Sequence, residues 1–282
     1  AIGAELAFFY HSLGTKVTLI EYMDQIVPTE DTDVAAQLSR SFRKAGMKIM
    51  TSSGVQSADK TCEGCRLAVQ TKKGVEYVEA DIVLSAVGVV PSTANLGLEA
   101  AGVQMTRGRI NVDKNFMTTV PGIYAVGDVL NTPALAHLAS AEALCCVERM
   151  AGLDVPDVDY DNVPGCIYTT PEIASVGLRE KDAEKKGIKV KIGKYPFTAS
   201  GKAAAAGERD GFVKLVFDAE TDILLGAHII GAHATEMIGG LVASRGMKIT
   251  GHDLIHSIFP HPTMSEGIME AAALSCDQCA NM

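Results

Sequence analysis

Residues 1–21 read AIGAELAFFYHSLGTKVTLIE, and they predict the first two elements of the fold. Its first thirteen residues place apolar side chains at mixed spacings of three and four, which predicts a helix. Gly14 is a suitable helix stop, because glycine tolerates the left-handed backbone that ends many helices. Residues 16–20 then predict a short buried strand that closes at Glu21. A helix followed by such a strand is typical of an α/β unit.

The pattern continues downstream of Glu21. Asp31 or Thr32 is predicted to cap a second helix, and Gly46 is predicted to stop it. Residues 47–50 predict another strand. Short strands separated by polar, glycine-containing turns follow, and residues 82–87 predict a largely apolar strand. The opening of the chain is therefore βαβ-like, with a small antiparallel excursion.

The remainder of the chain is predicted to contain strands followed by helices, which is an α+β signature. Residues 123–126 predict a short buried strand, residues 134–150 a helix, and residues 154–164 a linker. Beyond the linker, the predicted elements are strands at residues 166–168, 190–195, 212–217 and 223–230, a helix at residues 180–186, and two or three closing helices.

Composition excludes several classes of function. The chain has 282 residues, which favours about two domains. Its 25 Lys and Arg against 34 Asp and Glu give a net charge of −9, which argues against a nucleic-acid partner. No apolar run reaches the length of about 18 residues that a membrane span needs. Seven cysteines spread over this length do not indicate a secreted disulfide framework, so we expect a cytoplasmic protein.

Gly3 and Glu21 have the spacing of a dinucleotide site. Such a site uses a glycine at a helix start and an acidic residue about 20 positions later, at a strand end, for the ribose hydroxyls. We expect the first strand and the first two glycines to precede Ala1. A carboxylate at this position repels a 2′-phosphate, so the pattern favours NAD over NADP. The alternative is that Glu21 is a solvated strand-end carboxylate.

Asp128 lies where a predicted strand ends and a helix soon follows. A carboxylate at that position can bind a sugar or ribitol hydroxyl, and the helix start offers unpaired amide donors. The alternative is a common turn in which Asp128 is a helix cap.

His261 and Glu266 are separated by five positions, with Pro262 between them. A glutamate at this spacing can orient the imidazole and raise its basicity, which is the arrangement of a general base. The alternative is a capping box, with Thr263 as the cap and Glu266 three residues later.

These segments, taken in order, resemble the pyridine nucleotide–disulfide oxidoreductases over essentially the whole chain. The matching motifs are Gly3-Ala4-Glu5, residues 17–21, Ala86-Val87-Gly88, Gly127-Asp128, Leu135-Ala136-His137, Tyr168-Thr169-Thr170-Pro171-Glu172, residues 226–231 and His261-Pro262-Thr263. Glu21 and the Leu-Ala-His turn favour the lipoamide-oxidising branch of that family.

The resemblance implies an α/β nucleotide-binding fold, Rossmann-like and truncated at its first strand, followed by an α+β dimerisation domain. The implied domains are an NAD-binding domain at residues 1–87, part of a flavin-binding central region at residues 88–157, and an interface domain at residues 158–282.

The resemblance also assigns roles to individual residues. The NAD site is implied to contain Gly3, Glu5, Glu21, Val55 and Gly88. The flavin is implied to contact the Asp128 side chain and the backbone of Ala134, Leu135, Ala136 and His137. His261 would be the base that reaches the disulfide of the other subunit, and Glu266 would orient it.

The implied reaction oxidises dihydrolipoyl groups and passes hydride through FAD to NAD⁺. The implied partners are a second copy of the chain and a lipoyl-bearing carrier protein of a 2-oxoacid dehydrogenase or glycine cleavage complex. The family's redox disulfide belongs to a flavin domain that we expect before Ala1, so the 282 residues alone should not turn over. The alternatives are a non-catalytic nucleotide-binding and dimerisation fragment, or a reductase of another disulfide or small electrophile.

Two features depart from the family pattern. The segment Gly88-Val89-Val90-Pro91 lacks the arginine that usually follows the glycine. The pairs Cys62/Cys65 and Cys276/Cys279 have two residues between them rather than four. A zinc site is the less favoured interpretation of these pairs, and an electron-shuttling C-terminal pair is less favoured than two free thiols.

Overall fold

The computed structural model describes residues 1–276, so Cys279 lies outside the described residues. Two compact units are present. The first contains Ala1–Ala86 together with the chain from Pro164 onward, and the second contains Val87–Val163.

The first unit opens with α1 (Ile2–Ser12), β1 (Thr18–Ile20), α2 (Thr32–Ala45) and β2 (Lys48–Met50). β1 and β2 are parallel, with Leu19 opposite Ile49. The predicted limits of α2 are confirmed: Asp31 Oδ1 accepts the Asp33 N–H at 3.0 Å, and Gly46 ends the helix with φ of 105°. Three antiparallel strands follow, β3 (Gly54–Lys60), β4 (Cys65–Thr71) and β5 (Gly74–Ala80).

The strand predicted at residues 82–87 is not formed. Ile82 is 84% exposed and Val87 97% exposed, and the segment pairs with no other strand of the described residues. In a doubly wound sheet of strand order 3-2-1-4, residues 82–87 would pair with a strand that precedes α1 in the chain. The described residues contain no such strand. An apolar segment forms a strand only when a neighbouring strand pairs with its backbone N–H and C=O groups. The apolar pattern of residues 82–87 therefore predicted a strand that does not form.

The second unit contains a short hairpin, β6 (Met105–Thr106) and β7 (Arg109–Ile110), and the helix α3 (Ala136–Met150). The strand predicted at residues 123–126 is also wrong. Only one bridge, between Met117 and Tyr124, forms there, since no extended strand lies alongside to continue the pairing. Leu135 keeps an extended backbone, with φ of −138°, so α3 begins two residues later than predicted.

The rest of the first unit is a five-stranded antiparallel sheet of order β10-β11-β12-β9-β8. Its strands are β8 (Gly165–Ile167), β9 (Glu172–Gly177), β10 (Val190–Pro196), β11 (Phe212–Asp218) and β12 (Leu224–Gly231). The helices are α4 (Glu180–Lys186), α5 (Gly201–Ala206), α6 (Ala234–Gly246), α7 (Gly251–His256) and α8 (Glu266–Leu274).

β9 was absent from the sequence prediction. Its small residues have weak strand propensity, and the strand is stabilised by neighbours on both sides, β12 and β8. Its Ala174 joins a core that includes Phe197, Phe217 and Ile229, all fully buried. Across residues 1–276, no helix is long and apolar enough to cross a bilayer.

Candidate active site

His261 lies in the segment between α7 and α8, and Glu266 is the first residue of α8. His261 Nδ1 is 2.7 Å from Glu266 Oε1. The imidazole is 79% exposed, whereas the carboxylate is only 22% exposed. The His261–Pro262 peptide bond is cis. The pair therefore has the geometry of an exposed base held by a largely covered carboxylate.

The second oxygen of Glu266 decides between this geometry and the capping box. Oε2 accepts the Thr263 N–H at 2.8 Å, which is one half of such a box. The other half is missing, because the Thr263 hydroxyl donates to Pro260 O at 2.7 Å. Partial burial acts to raise the pKa of Glu266, but the hydrogen bonds from Thr263 and His261 outweigh it, and the pKa is lowered. A single carboxylate thus holds both the ring and its backbone.

Gly3 lies in the first turn of α1, and Glu21 lies just after the end of β1. A Cβ on Gly3 would lie 3.4 Å from the Cβ of Ala86, so glycine permits close packing between α1 and the segment that contains Ala86. Glu21 directly follows β1, and its Oε1 accepts the Met23 N–H at 2.8 Å. The end of β1 positions Glu21, and this local hydrogen bond orients its carboxylate.

The other predicted nucleotide residues are in different surroundings. Glu5 Oε1 accepts the Tyr168 N–H at 2.9 Å, which links α1 to the segment after β8. Val55 is 48% exposed in β3. Gly88 belongs to the second unit and has φ of +131°, a backbone that side chains rarely adopt.

The predicted flavin residues cluster along the second unit. A 3₁₀ turn at Gly127–Val129 exposes Asp128, whose carbonyl accepts a hydrogen bond from Arg109 at 3.2 Å. A Cβ on Gly127 would lie 3.0 Å from the Cβ of Ala139, so this turn needs glycine to approach α3. Ala134 and Leu135 precede α3, while Ala136 and His137 form its first turn. Their contact with a flavin stays a prediction.

Glu142 is a buried residue that the sequence analysis missed. It is fully buried in α3, where Oε2 accepts the Gly127 N–H at 2.7 Å and Oε1 accepts the Tyr160 hydroxyl at 3.0 Å. Burial and the hydrogen bond to Glu142 raise the pKa of Tyr160 to about 12. The sequence feature that could have revealed Glu142 is its position as a lone acid on the helix face that carries the buried Leu138 and Cys145. Glu142 positions the turn that carries Asp128.

Lys214 is a second buried charged residue that the sequence analysis missed. It is 3% exposed in the apolar strand β11, and its Nζ lies 2.9 Å from Asp31, 3.1 Å from Asp33 and 2.6 Å from Glu180. Burial acts to lower the pKa of Lys214, but its three carboxylate partners outweigh it and raise the pKa. The cluster joins the start of α2 to the five-stranded sheet. A single lysine within an apolar run was the signal.

The described cysteines are free thiols. Cys62 lies in the turn between β3 and β4, and Cys65 is the first residue of β4. Within residues 1–276, no group of three or more potential metal ligands is gathered.

The family models for the pyridine nucleotide-disulphide oxidoreductases match residues 1–143, and the dimerisation domain of the same family matches residues 163–272. The chain belongs to this oxidoreductase family. The predicted family and fold class are thereby confirmed, and FAD and a pyridine nucleotide are the cofactors of the family.

Relatives in this oxidoreductase family include dihydrolipoyl dehydrogenases. That of Rhizobium etli is 46% identical over 96% of this chain and 57% of its own length. That of Zymomonas mobilis is 42% identical over 96% of this chain and 59% of its own length. The chain therefore spans less than three-fifths of these relatives.

Two solved structures share the fold of this chain. LpdA from Mycobacterium tuberculosis is 29% identical with a TM-score of 0.87, covering 96% of this chain and 59% of that one. The flavoprotein disulfide reductase RclA from Escherichia coli is 26% identical with a TM-score of 0.86, covering 98% of this chain and 62% of that one.

Proposed function

We propose that this chain is the nucleotide-binding and interface part of an NAD-dependent flavoenzyme of the dihydrolipoyl dehydrogenase type. The complete enzyme would oxidise dihydrolipoyl groups and reduce NAD⁺. The observation that carries the proposal is the hydrogen bond between His261 and Glu266. The identities of 46% and 42% to dihydrolipoyl dehydrogenases support the same substrate class.

His261 is suited to remove a proton from a thiol. A free thiol has a pKa of about 8.5, so only a small fraction is thiolate at neutral pH, and the thiolate is the reactive form. Because His261 Nδ1 donates its hydrogen bond to Glu266 Oε1, the proton of the neutral ring is held on Nδ1 and Nε2 keeps its lone pair. Nε2 then takes the thiol proton, and the carboxylate stabilises the resulting imidazolium.

The residues around Asp128 and Glu21 fit the two cofactors. The exposed Asp128 carboxylate on its turn, close in sequence to the start of α3, is suited to a ribitol hydroxyl. Glu21 after β1, with Gly3 packed against Ala86, is suited to the adenosine ribose of NAD. When bound, the flavin supplies electron transfer between thiol and nicotinamide. The protein's own part is to orient both groups and to move the thiol proton.

The assembly that we propose is a homodimer. The match to the family's dimerisation domain and the 79% exposed imidazole of His261 support a site completed by a second copy. The proposed partner is a lipoyl-bearing carrier protein of a 2-oxoacid dehydrogenase or glycine cleavage complex. The cysteine usage supports a cytoplasmic location.

A second candidate is a reductase of another disulfide or a small electrophile. The structural similarity to RclA, which is named a flavoprotein disulfide reductase, favours it. Assays of the complete protein with dihydrolipoamide and with other dithiols separate the two, because only the first proposal requires a clear preference for dihydrolipoamide.

The test is the substitution His261→Gln in the complete protein, with two half-reactions measured in one preparation. Thiol oxidation should fall about 10²–10⁴-fold, the usual contribution of a general base. NADH oxidation by a small one-electron acceptor should survive, because it involves no thiol deprotonation. His252→Gln on α7 is the matched control and should change neither. Equal losses in both half-reactions would show that His261 is structural.

A further inference from the structure

A cavity of about 440 Å³ lies where α2 meets β10 and the segment just before β11. All of these elements belong to the first unit. None of the residues assigned above to catalysis, NAD or flavin lines this cavity. Its volume is within the usual range of small-molecule sites, about 300–1,000 Å³.

The walls of the cavity carry more positive than negative side chains. Arg40 and Lys44 come from one face of α2, since they are four positions apart. Lys194 of β10 and Arg209 complete a set of four cations, against the two carboxylates of Asp33 and Asp210. This local excess of positive charge stands in a chain whose net charge is −9.

Both carboxylates are already occupied by groups of the protein. Asp33 accepts from Lys194 at 2.9 Å and from Lys214 at 3.1 Å. Asp210 accepts from Gln37 at 2.5 Å and from the Ser41 hydroxyl at 2.6 Å. The carboxylates therefore have little capacity left for a cationic ligand.

Three of the four cations have no such partner. Within residues 1–276, no ion pair involves Arg40, Lys44 or Arg209. Arg40 is instead oriented by a neutral group, because its NH1 donates to Gln37 Oε1 at 3.1 Å. Guanidinium groups bind phosphate through paired hydrogen bonds, and lysine adds a point charge.

The lining of the cavity also includes two apolar side chains, those of Phe212 and Pro196. Phe212 is 6% exposed, its ring lies 4.2 Å from Lys194 Nζ, and Pro196 lies beside it in the lining. We propose that this cavity binds a phosphate group, carried either by a small organic phosphate ester or by free inorganic phosphate. Phe212 and Pro196 favour the ester, whose organic part would pack against these two side chains. This site is additional to the proposed dehydrogenase function and does not depend on it.

The first test is calorimetric titration of the full chain at low ionic strength with inorganic phosphate and with phenyl phosphate. We expect one saturable site, with phenyl phosphate binding more tightly. Inorganic phosphate binding equally well would assign the site to free phosphate, which still supports the proposal. No saturable binding of either probe would overturn it.

The substitution Arg40→Gln should weaken binding by about tenfold or more, since one charge-assisted contact is lost. Arg43→Gln is the matched control, because Arg43 belongs to α2, carries the same charge and does not line the cavity. Equal losses in both variants would show general attraction to a basic helix and would overturn the site. If Arg40→Gln does not fold, Arg209→Gln provides the same comparison.

The substitution Asp210→Asn gives a test of opposite sign. Removing this carboxylate should tighten phosphate binding by about two- to tenfold, because one repulsive charge is removed from the cavity. Asp24→Asn, outside the lining, is its control and should leave the affinity unchanged. Weaker binding in Asp210→Asn than in the control would contradict an anion site.

Discussion

Glu266 engages the segment that carries His261 with both of its carboxylate oxygens. Oε1 is 2.7 Å from the ring Nδ1, and Oε2 accepts the Thr263 N–H at 2.8 Å. One side chain at the start of α8 therefore sets the ring's orientation and the path of the backbone beside it. This double contact makes Glu266 a positioning residue in the proposed mechanism.

Glu266→Gln in the complete protein should reduce thiol oxidation by less than His261→Gln does, about tenfold. The amide keeps one acceptor but loses the charge that stabilises the imidazolium. The loss should fall on kcat rather than KM, and the acidic limb of the pH–rate profile should move to lower pH. Glu63→Gln, on the turn between β3 and β4, is the control for removal of one charge. An unmoved profile would limit Glu266 to a structural role.

Glu21→Arg should narrow or reverse the preference of the complete protein for NAD over NADP. The substitution removes a charge that repels a 2′-phosphate and supplies a cation that attracts it. We expect the ratio of kcat/KM values for the two cofactors to change by about tenfold or more, which is about 1.4 kcal/mol. Steady-state kinetics with both cofactors measure it. If the ratio is unchanged, the Glu21 side chain does not contact the ribose.

Lys214→Met should destabilise the first unit strongly. Asp31, which is 2% exposed, would lose its cation, and an uncompensated buried charge costs about 3–5 kcal/mol. Lys194→Met is the matched control: Lys194 pairs with Asp33 but is 41% exposed, so its loss should cost only about 0–1 kcal/mol. Urea unfolding gives both free energies. Similar values for the two variants would show that the buried cluster contributes no more than a surface pair.

Tyr160→Phe should destabilise the second unit by about 1–2 kcal/mol, because Glu142 loses one of its donors inside the protein. The ultraviolet titration of the variant should also lack the tyrosine whose pKa is about 12. Tyr77→Phe, at a 70% exposed position on β5, should change neither the free energy of unfolding nor that titration step. If the late titration step persists in Tyr160→Phe, that step belongs to another tyrosine.

Elements whose stability is local were predictable from the sequence. α2 is an example, because Asp31 caps its start and Gly46 ends it through contacts within a few residues. The same holds for the pairing of His261 with Glu266, since a chain that turns at Pro262 brings positions five apart together. In both cases the partners are neighbours in sequence, so spacing and residue type contain the needed information.

Elements whose stability depends on distant partners could not be predicted from the sequence, because those partners come together only in the folded chain. Residues 82–87 and 123–126 have the composition of strands, but the described residues offer the first segment no strand to pair with and the second only one bridge, from Met117 to Tyr124. Lys214 lies 183 positions from Asp31 in sequence, and their contact exists only because β11 packs beside the start of α2. A backbone hydrogen bond or a buried ion pair needs its partner in place, and composition alone does not supply that partner.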